Sequence, residues 1–193
     1  MSYTPLLPYN ISMPARKPAP PVYILKVTLD GIEPPIWRRI VVPASIKLCC
    51  LHSTLQVVMG WTGSHLHQFK KGGQIRGDAT HLSELLTAEG QAIHYLYDFG
   101  DNWSHQILLE QILPPNPDLK TPLCINGQRH CPPEDVGGVP GYQQFLEVIF
   151  DPTHIDFPHI VRWAGGPFHA EDFDIKTVNA SLSRMRLPIR HRR

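Results

Sequence analysis

Alternating apolar and polar residues predict two strands near the start of the chain. In the segment VYILKVTL, every second residue is apolar, which is the period of a strand with one buried face. The residues on that face are Tyr23, Leu25, Val27 and Leu29. Asp30-Gly31 then predicts a turn, and the segment IWRRIVV, residues 36–42, predicts a second strand antiparallel to the first.

The apolar spacing in the rest of the chain predicts a mixture of helices and strands. Leucines and valines recur at helical spacing over residues 48–59, and Gly60 favours a helix end there. Further strands are predicted at residues 65–69, 92–97 and 103–112, and helices at 82–86, 142–150, 158–163 and 175–185, with a proline-rich loop over 113–140. This order favours an α+β fold, a mostly antiparallel sheet with helices packed on it.

Two adjacent cysteines, Cys49 and Cys50, lie in the first predicted helix. Neighbouring helical residues point about 100° apart. We therefore expect the two thiols to pack as small apolar groups and not to bind one ion together.

The composition fits one folded domain with an appendage at each end. Hydrophobic residues make up 42% of the 193 residues and charged residues 18%, which allows a core and argues against disorder. We expect a flexible proline-rich arm over residues 1–21, a single domain over 22–183 and a basic tail over 184–193.

Positive charge is concentrated in that tail. Five of the 18 Lys and Arg residues lie there with no acid, which leaves 13 basic and 17 acidic residues in the rest of the chain. A slightly acidic body lacks the basic face that duplex DNA requires. We therefore expect nucleic acid to contact only the Arg-rich tail. The more common alternative is that such a tail is solvated and binds nothing.

The sequence predicts a cytoplasmic protein with no membrane partner. It has no apolar run long enough for a membrane span or a signal peptide. In such a compartment, its four cysteines are expected to be free thiols or ligands.

His65 and His67 are the first candidate metal ligands. They lie two residues apart in a predicted strand, so both imidazoles would share one face. This is a usable ligand pair for a metal, although packing and hydrogen bonding also explain histidines at such positions.

The segment YLYDFGDNWSH adds Asp98, Asp101 and His105. Aspartate and glycine are also what a hairpin turn requires, so the turn alone could explain both carboxylates. His105 shares a strand face with Trp103, and a core position is the alternative to a ligand role.

The segment CINGQRHCPPEDVGGVPGY contains the third candidate group. Cys124 and Cys131 are separated by six residues, a modest zinc signal. Glu134 and Asp135 follow two prolines and precede two glycines and a helix expected near Tyr142. They could cap that helix, or they could form a rigid carboxylate pair for a metal or for proton transfer.

Histidine, thiolate and carboxylate together favour zinc or another divalent transition metal over calcium. We predict metal ligands at His65, His67, Asp101 and His105, and catalytic carboxylates at Glu134 and Asp135. Further candidates are Asp98, Trp103, Cys124, Cys131 and Tyr142.

These motifs resemble the plasmid pRiA4b ORF-3-like family, whose members are also described as TnpR-like passenger proteins of transposons. The motifs that carry the resemblance are HLHQF, YLYDFGDNWSH, C-x₂-G-x-R-x-CPPEDVGG-x₂-GY and FDIKTVN. The resemblance implies a single α+β domain of bacterial, archaeal or mobile-element origin, and it implies no defined activity.

A serine resolvase is not expected. Its nucleophilic serine would have to be Ser2 or Ser12, both in the proline-rich arm, and no separate DNA-binding helix pair is evident. Three functions stay open: a metal-binding protein with hydrolase activity, a nucleic-acid accessory protein of a mobile element, and a non-catalytic protein-interaction module. The metal-binding hypothesis predicts that His65, His67 and His105 converge within a few ångströms.

Overall fold

One antiparallel sheet organises the protein, and the computed structural model describes residues 19–185 of it. The strands are β1 (Val22–Leu29), β2 (Trp37–Pro43), β3 (His67–Lys71), β4 (Gln74–Arg76), β5 (Ala92–Tyr97), β6 (Trp103–Leu113) and β7 (Leu123–Gln128). The helices are α1 (Leu48–Met59), α2 (Leu82–Leu85), α3 (Gly138–Ile149), α4 (Phe157–Trp163) and α5 (Ile175–Leu182). The strand order is β4-β3-β5-β6-β1-β2-β7, and all pairs are antiparallel.

The two faces of the sheet differ in burial. Alternate residues of β1 and β6 are buried, as the period-two pattern predicts, and α1 contributes Leu48, Leu51 and Leu55 to the same core. The opposite face carries charged side chains such as the Arg39–Glu110 ion pair. The predicted α+β class with a mostly antiparallel sheet is confirmed.

β7 lies inside the segment that the sequence pattern predicts to be wholly loop, and that prediction was wrong. The strand pairs with β2 at the edge of the sheet. Its outer side is bound by Asn179 of α5, whose amide accepts from the Cys124 N–H and donates to the Cys124 carbonyl, both at 2.8 Å. The strand conformation is therefore imposed by tertiary contacts, because the segment has no alternating apolar pattern of its own.

Helix α3 begins at Gly138, earlier than the expected start near Tyr142. Gly137 precedes it with left-handed backbone, and Pro140 is accommodated because the first turn of a helix leaves its N–H groups unpaired. Neither Glu134 nor Asp135 caps the helix. The Gly137 N–H instead donates to Asp101 Oδ2 at 3.1 Å, so the partner comes from the β5–β6 turn.

The predicted arm and tail fall mostly on residues 1–18 and 186–193, which lie outside the described residues. Within residues 19–185, none of the helices has the length and apolar character needed to cross a membrane.

Candidate metal centre

His65, Asp98 and Asp135 come together where the β5–β6 turn meets the loop before α3. His65 Nδ1 lies 3.5 Å from Asp98 Oδ2, and His65 Nε2 lies 3.2 Å from Asp135 Oδ1. One nitrogen of His65 and one oxygen of each carboxylate all lie within 4.8 Å of one another. The side chain of Asp98 is 10% exposed and that of Asp135 is 72% exposed, so the cluster opens to solvent on the Asp135 side.

Asp98 serves both the turn and the cluster. Its backbone is left-handed, with φ of 55°, and its Oδ1 accepts the N–H groups of Gly100 at 2.8 Å and Asp101 at 3.3 Å. Its Oδ2 faces His65. One carboxylate oxygen of Asp98 therefore serves the turn, and the other lies beside His65.

The β5–β6 turn is docked directly against the start of α3. A Cβ atom at Gly138 would lie 2.5 Å from the Asp101 carbonyl oxygen, and Gly138 has a left-handed φ of 68°. Together with the bond from Gly137 to Asp101, this close approach sets the distance between Asp98 on the turn and Asp135 on the loop.

Replacement of Gly138 by alanine is expected to lower the free energy of unfolding by about 2 kcal/mol, through left-handed strain and the clash with Asp101. Gly73→Ala is the matched control. Gly73 has a similar φ of 76°, but nothing lies within 4 Å of its Cβ position, so only the strain of about 1 kcal/mol applies. Urea denaturation of both variants measures the difference, and equal losses would contradict the close docking.

Glu134 is held by Thr62 and Tyr97. Its Oε2 accepts from Thr62 Oγ1 at 2.6 Å, and its Oε1 accepts from the Tyr97 hydroxyl at 2.5 Å. Burial acts to raise the pKa of Glu134, but the hydrogen bonds from Thr62 and Tyr97 outweigh it and the pKa is lowered. Burial and the bond to Glu134 raise the pKa of Tyr97 to about 12. Both carboxylate oxygens are thus engaged, and Glu134 fixes the loop beside its neighbour Asp135.

Two more side chains hold the segment that leads into this loop. Trp61 Nε1 donates to the Pro132 carbonyl at 3.0 Å, and the buried Arg38 donates to the carbonyls of Gln128 and Arg129, both at 2.8 Å. Sequence reasoning missed Arg38, Trp61, Thr62 and Tyr97. For Arg38 a signal existed, because it occupies an inward position in β2 where the alternation calls for an apolar residue.

His67 lies away from the cluster. Its Nε2 is 3.2 Å from Asp78 Oδ1, and its ring stacks on His52 with centroids 3.6 Å apart. Burial lowers the pKa of His52 to about 4, so this imidazole is neutral near pH 7. His65 precedes β3, whereas His67 begins it, and the shared strand face that would align the two rings is therefore absent.

His105 is a core residue. It is 0% exposed, its Nδ1 donates to the Trp103 carbonyl at 3.0 Å and faces the Tyr95 carbonyl at 3.3 Å, and Trp61 packs against its ring. The predicted convergence of His65, His67 and His105 was therefore wrong. A strand face shared with a buried tryptophan points into the core, away from the solvent-facing cluster.

The other candidates have separate partners within the described residues. Asp101 binds Gly137, Cys124 donates to the Asn126 carbonyl, and Cys131 accepts from Arg38. Trp103 and Tyr142 are buried in the core. The group of histidines and carboxylates that meets within 4.8 Å is thus His65, Asp98 and Asp135.

This fold and these motifs define one α+β family. The chain belongs to the plasmid pRiA4b ORF-3-like proteins, whose family model matches residues 21–177. It is 40% identical over 171 residues to the uncharacterized protein y4hQ of Sinorhizobium fredii strain NGR234, covering 81% of this chain and 86% of that protein. The crystal structure of MM3350, a protein of unknown function from Methanosarcina mazei Go1, is similar with a TM-score of 0.74 and 40% identity. That match covers 81% of this chain and 96% of the other.

Proposed function

We propose that the protein binds a divalent transition-metal ion at His65 and Asp135, with Asp98 orienting the imidazole. The observation that supports this is one histidine placed between two carboxylates that come from separate chain segments. Nitrogen and carboxylate oxygen together suit zinc, manganese or iron better than calcium.

The two ring nitrogens of His65 divide these roles. An imidazole that binds a metal through one nitrogen commonly donates its other N–H to a carboxylate, which fixes the ring. Asp98 is the more buried acid and is held by the turn, so it suits the orienting role on the Nδ1 side. Nε2 and the exposed Asp135 then face solvent, where water completes the coordination of the ion.

Hydrolysis is the reaction class that such an open site would support, because a metal-bound water is a nucleophile near neutral pH. The base would be the Asp135 oxygen that does not bind the ion, since both oxygens of Glu134 are engaged by Thr62 and Tyr97.

His65→Ala is expected to weaken zinc or manganese binding at least about 100-fold, because it removes the one nitrogen ligand of the site. The measurement is calorimetric titration of metal-free protein, with metal content checked by plasma mass spectrometry. Both are made in a Cys49→Ser/Cys50→Ser background, so that the exposed thiol of Cys49 and the partly exposed thiol of Cys50 contribute nothing.

His67→Ala in the same background is the matched control and should retain the affinity. Asp98→Asn should weaken binding about 10- to 100-fold, as expected for an orienting partner. The proposal would be overturned if the His65→Ala and His67→Ala variants bound the metal with equal affinity. It would also be overturned if the Cys49→Ser/Cys50→Ser protein, with both histidines intact, bound no metal.

A further inference from the structure

The first turn of α1 carries two neighbouring thiols that the metal centre does not use. Cys49 is exposed and Cys50 is partly exposed, and both are free. The expectation that they pack as small apolar groups was wrong for Cys49. The backbone of this turn is hydrogen-bonded to the segment before α2, because the N–H groups of Leu48 and Cys49 donate to the carbonyls of Thr80 and Asp78, both at 3.0 Å.

The two sulfurs lie 3.8 Å apart. The Cβ directions of adjacent helical residues diverge, as expected, but the side-chain torsions bring the two Sγ atoms together. Two thiolates bound tetrahedrally to one zinc ion at about 2.3 Å are about 3.8 Å apart, and the smaller angles at pyramidal arsenic(III) bring two sulfurs somewhat closer. The observed separation thus needs little adjustment for both sulfurs to bind one soft atom.

The same pair is poorly suited to a disulfide while the helix persists. The Cα atoms of adjacent residues are about 3.8 Å apart, below the shortest usual Cα separation across a disulfide, about 4.4 Å. The two residues therefore stay available as thiols, and Cys49 offers an entrance from solvent.

We propose that Cys49 and Cys50 form a dithiol site for a thiophilic ligand of the trivalent arsenical class. A monosubstituted arsenical needs only two thiols, because carbon occupies its third bond, whereas a structural zinc ion needs four ligands. Each thiol displaces one hydroxide from R–As(OH)₂, so two As–S bonds form, two As–O bonds break and the thiol protons leave in two water molecules. No oxidation or reduction is involved.

The test uses the full chain and phenylarsine oxide, which hydrates to the dihydroxide. Native protein should lose two reactive thiols for each arsenical bound, and its adduct should resist glutathione and be released by 2,3-dimercaptopropanol. Cys49→Ser and Cys50→Ser should each weaken the adduct on the order of 100-fold, because a one-thiol adduct loses the effective concentration of its second sulfur.

The buried cysteines provide the control. Cys124 and Cys131 are 1% and 2% exposed, so a Cys124→Ser/Cys131→Ser variant that retains the wild-type thermal transition should bind the arsenical as the wild type does. An adduct that glutathione removes from native wild type, or single Cys49 or Cys50 variants with unchanged affinity, would refute the dithiol site.

Discussion

Replacement of Arg38 by methionine is expected to lower the free energy of unfolding by about 4 kcal/mol. Arg38 is 2% exposed, and its guanidinium donates to the backbone carbonyls of Trp37, Val58, Gln128 and Arg129, each at 2.8 Å. Methionine fills part of the volume but leaves these acceptors without a donor, and a buried unsatisfied carbonyl costs roughly 1 to 3 kcal/mol.

These partners explain why the position requires an arginine. The carbonyls belong to β2, α1 and the end of β7 with the residue that follows it, and the ring centroid of Phe173 lies 3.9 Å from the guanidinium carbon. A planar group with five N–H donors can serve all four carbonyls at once, whereas lysine has only three donors. Loss of Arg38 should therefore also loosen the segment that leads to Glu134 and Asp135.

The adjacent arginine provides the control for this prediction. Arg39 points to the opposite face and pairs with Glu110, with side chains 30% and 22% exposed. Arg39→Met should cost less than about 1 kcal/mol, because solvent screens the pair. Urea denaturation compares the two variants, and an Arg38→Met loss no larger than that of Arg39→Met would contradict the assigned role.

Acidification is expected to remove about 3 kcal/mol of stability through His105 alone. Burial lowers the pKa of His105 from 6.5 to about 4, although backbone carbonyls of Tyr95 and Trp103 oppose the shift. Between pH 6.5 and about 4, His105 binds a proton in the unfolded chain but not in the folded protein. Stability therefore falls as the pH is lowered through this window. Above pH 6.5 both states are neutral at this position and the contribution is constant.

His105→Phe should reduce the slope of the unfolding free energy against pH between pH 6.5 and 4, by an amount that corresponds to at most one proton taken up on unfolding. Phenylalanine keeps the aromatic packing against Trp61 and does not titrate. His94 is exposed on β5, and His94→Gln serves as the control for the loss of a surface histidine. Chemical denaturation at a series of pH values gives both slopes. A wild-type slope in the His105→Phe variant would show that another group takes up the proton.

Residues in regular elements were predicted well because their patterns are local. The helical period of α1 and the left-handed Gly60 at its end follow from residues within one segment, and so does the buried face of β1. The same rule failed for β7, whose strand geometry depends on β2 and on Asn179, 55 residues away from Cys124. No window of sequence around β7 contains that information.

The candidate site shows the same division. The sequence predicted Asp101 of the hairpin turn and Glu134 and Asp135 of the Pro-Pro-Glu-Asp loop beside His65, and the structure places Asp135 there together with Asp98, which was only a further candidate. The sequence also placed His67 and His105 beside His65, and the structure does not, because strand spacing says which residues share a face and not whether that face is core or solvent. His105 faces the core and His67 faces His52 and Asp78.

The sequence by itself determined the family, the α+β class and the segments that carry polar chemistry, since turn residues and periodicity are properties of short stretches. Only the tertiary structure decided which side chains meet. Close packing of the turn at Asp101 against Gly138 places Asp98 opposite Asp135. Glu134 accepts hydrogen bonds from Thr62 and Tyr97. These contacts depend on distances between segments far apart in the chain, and such distances are set by packing of the whole domain.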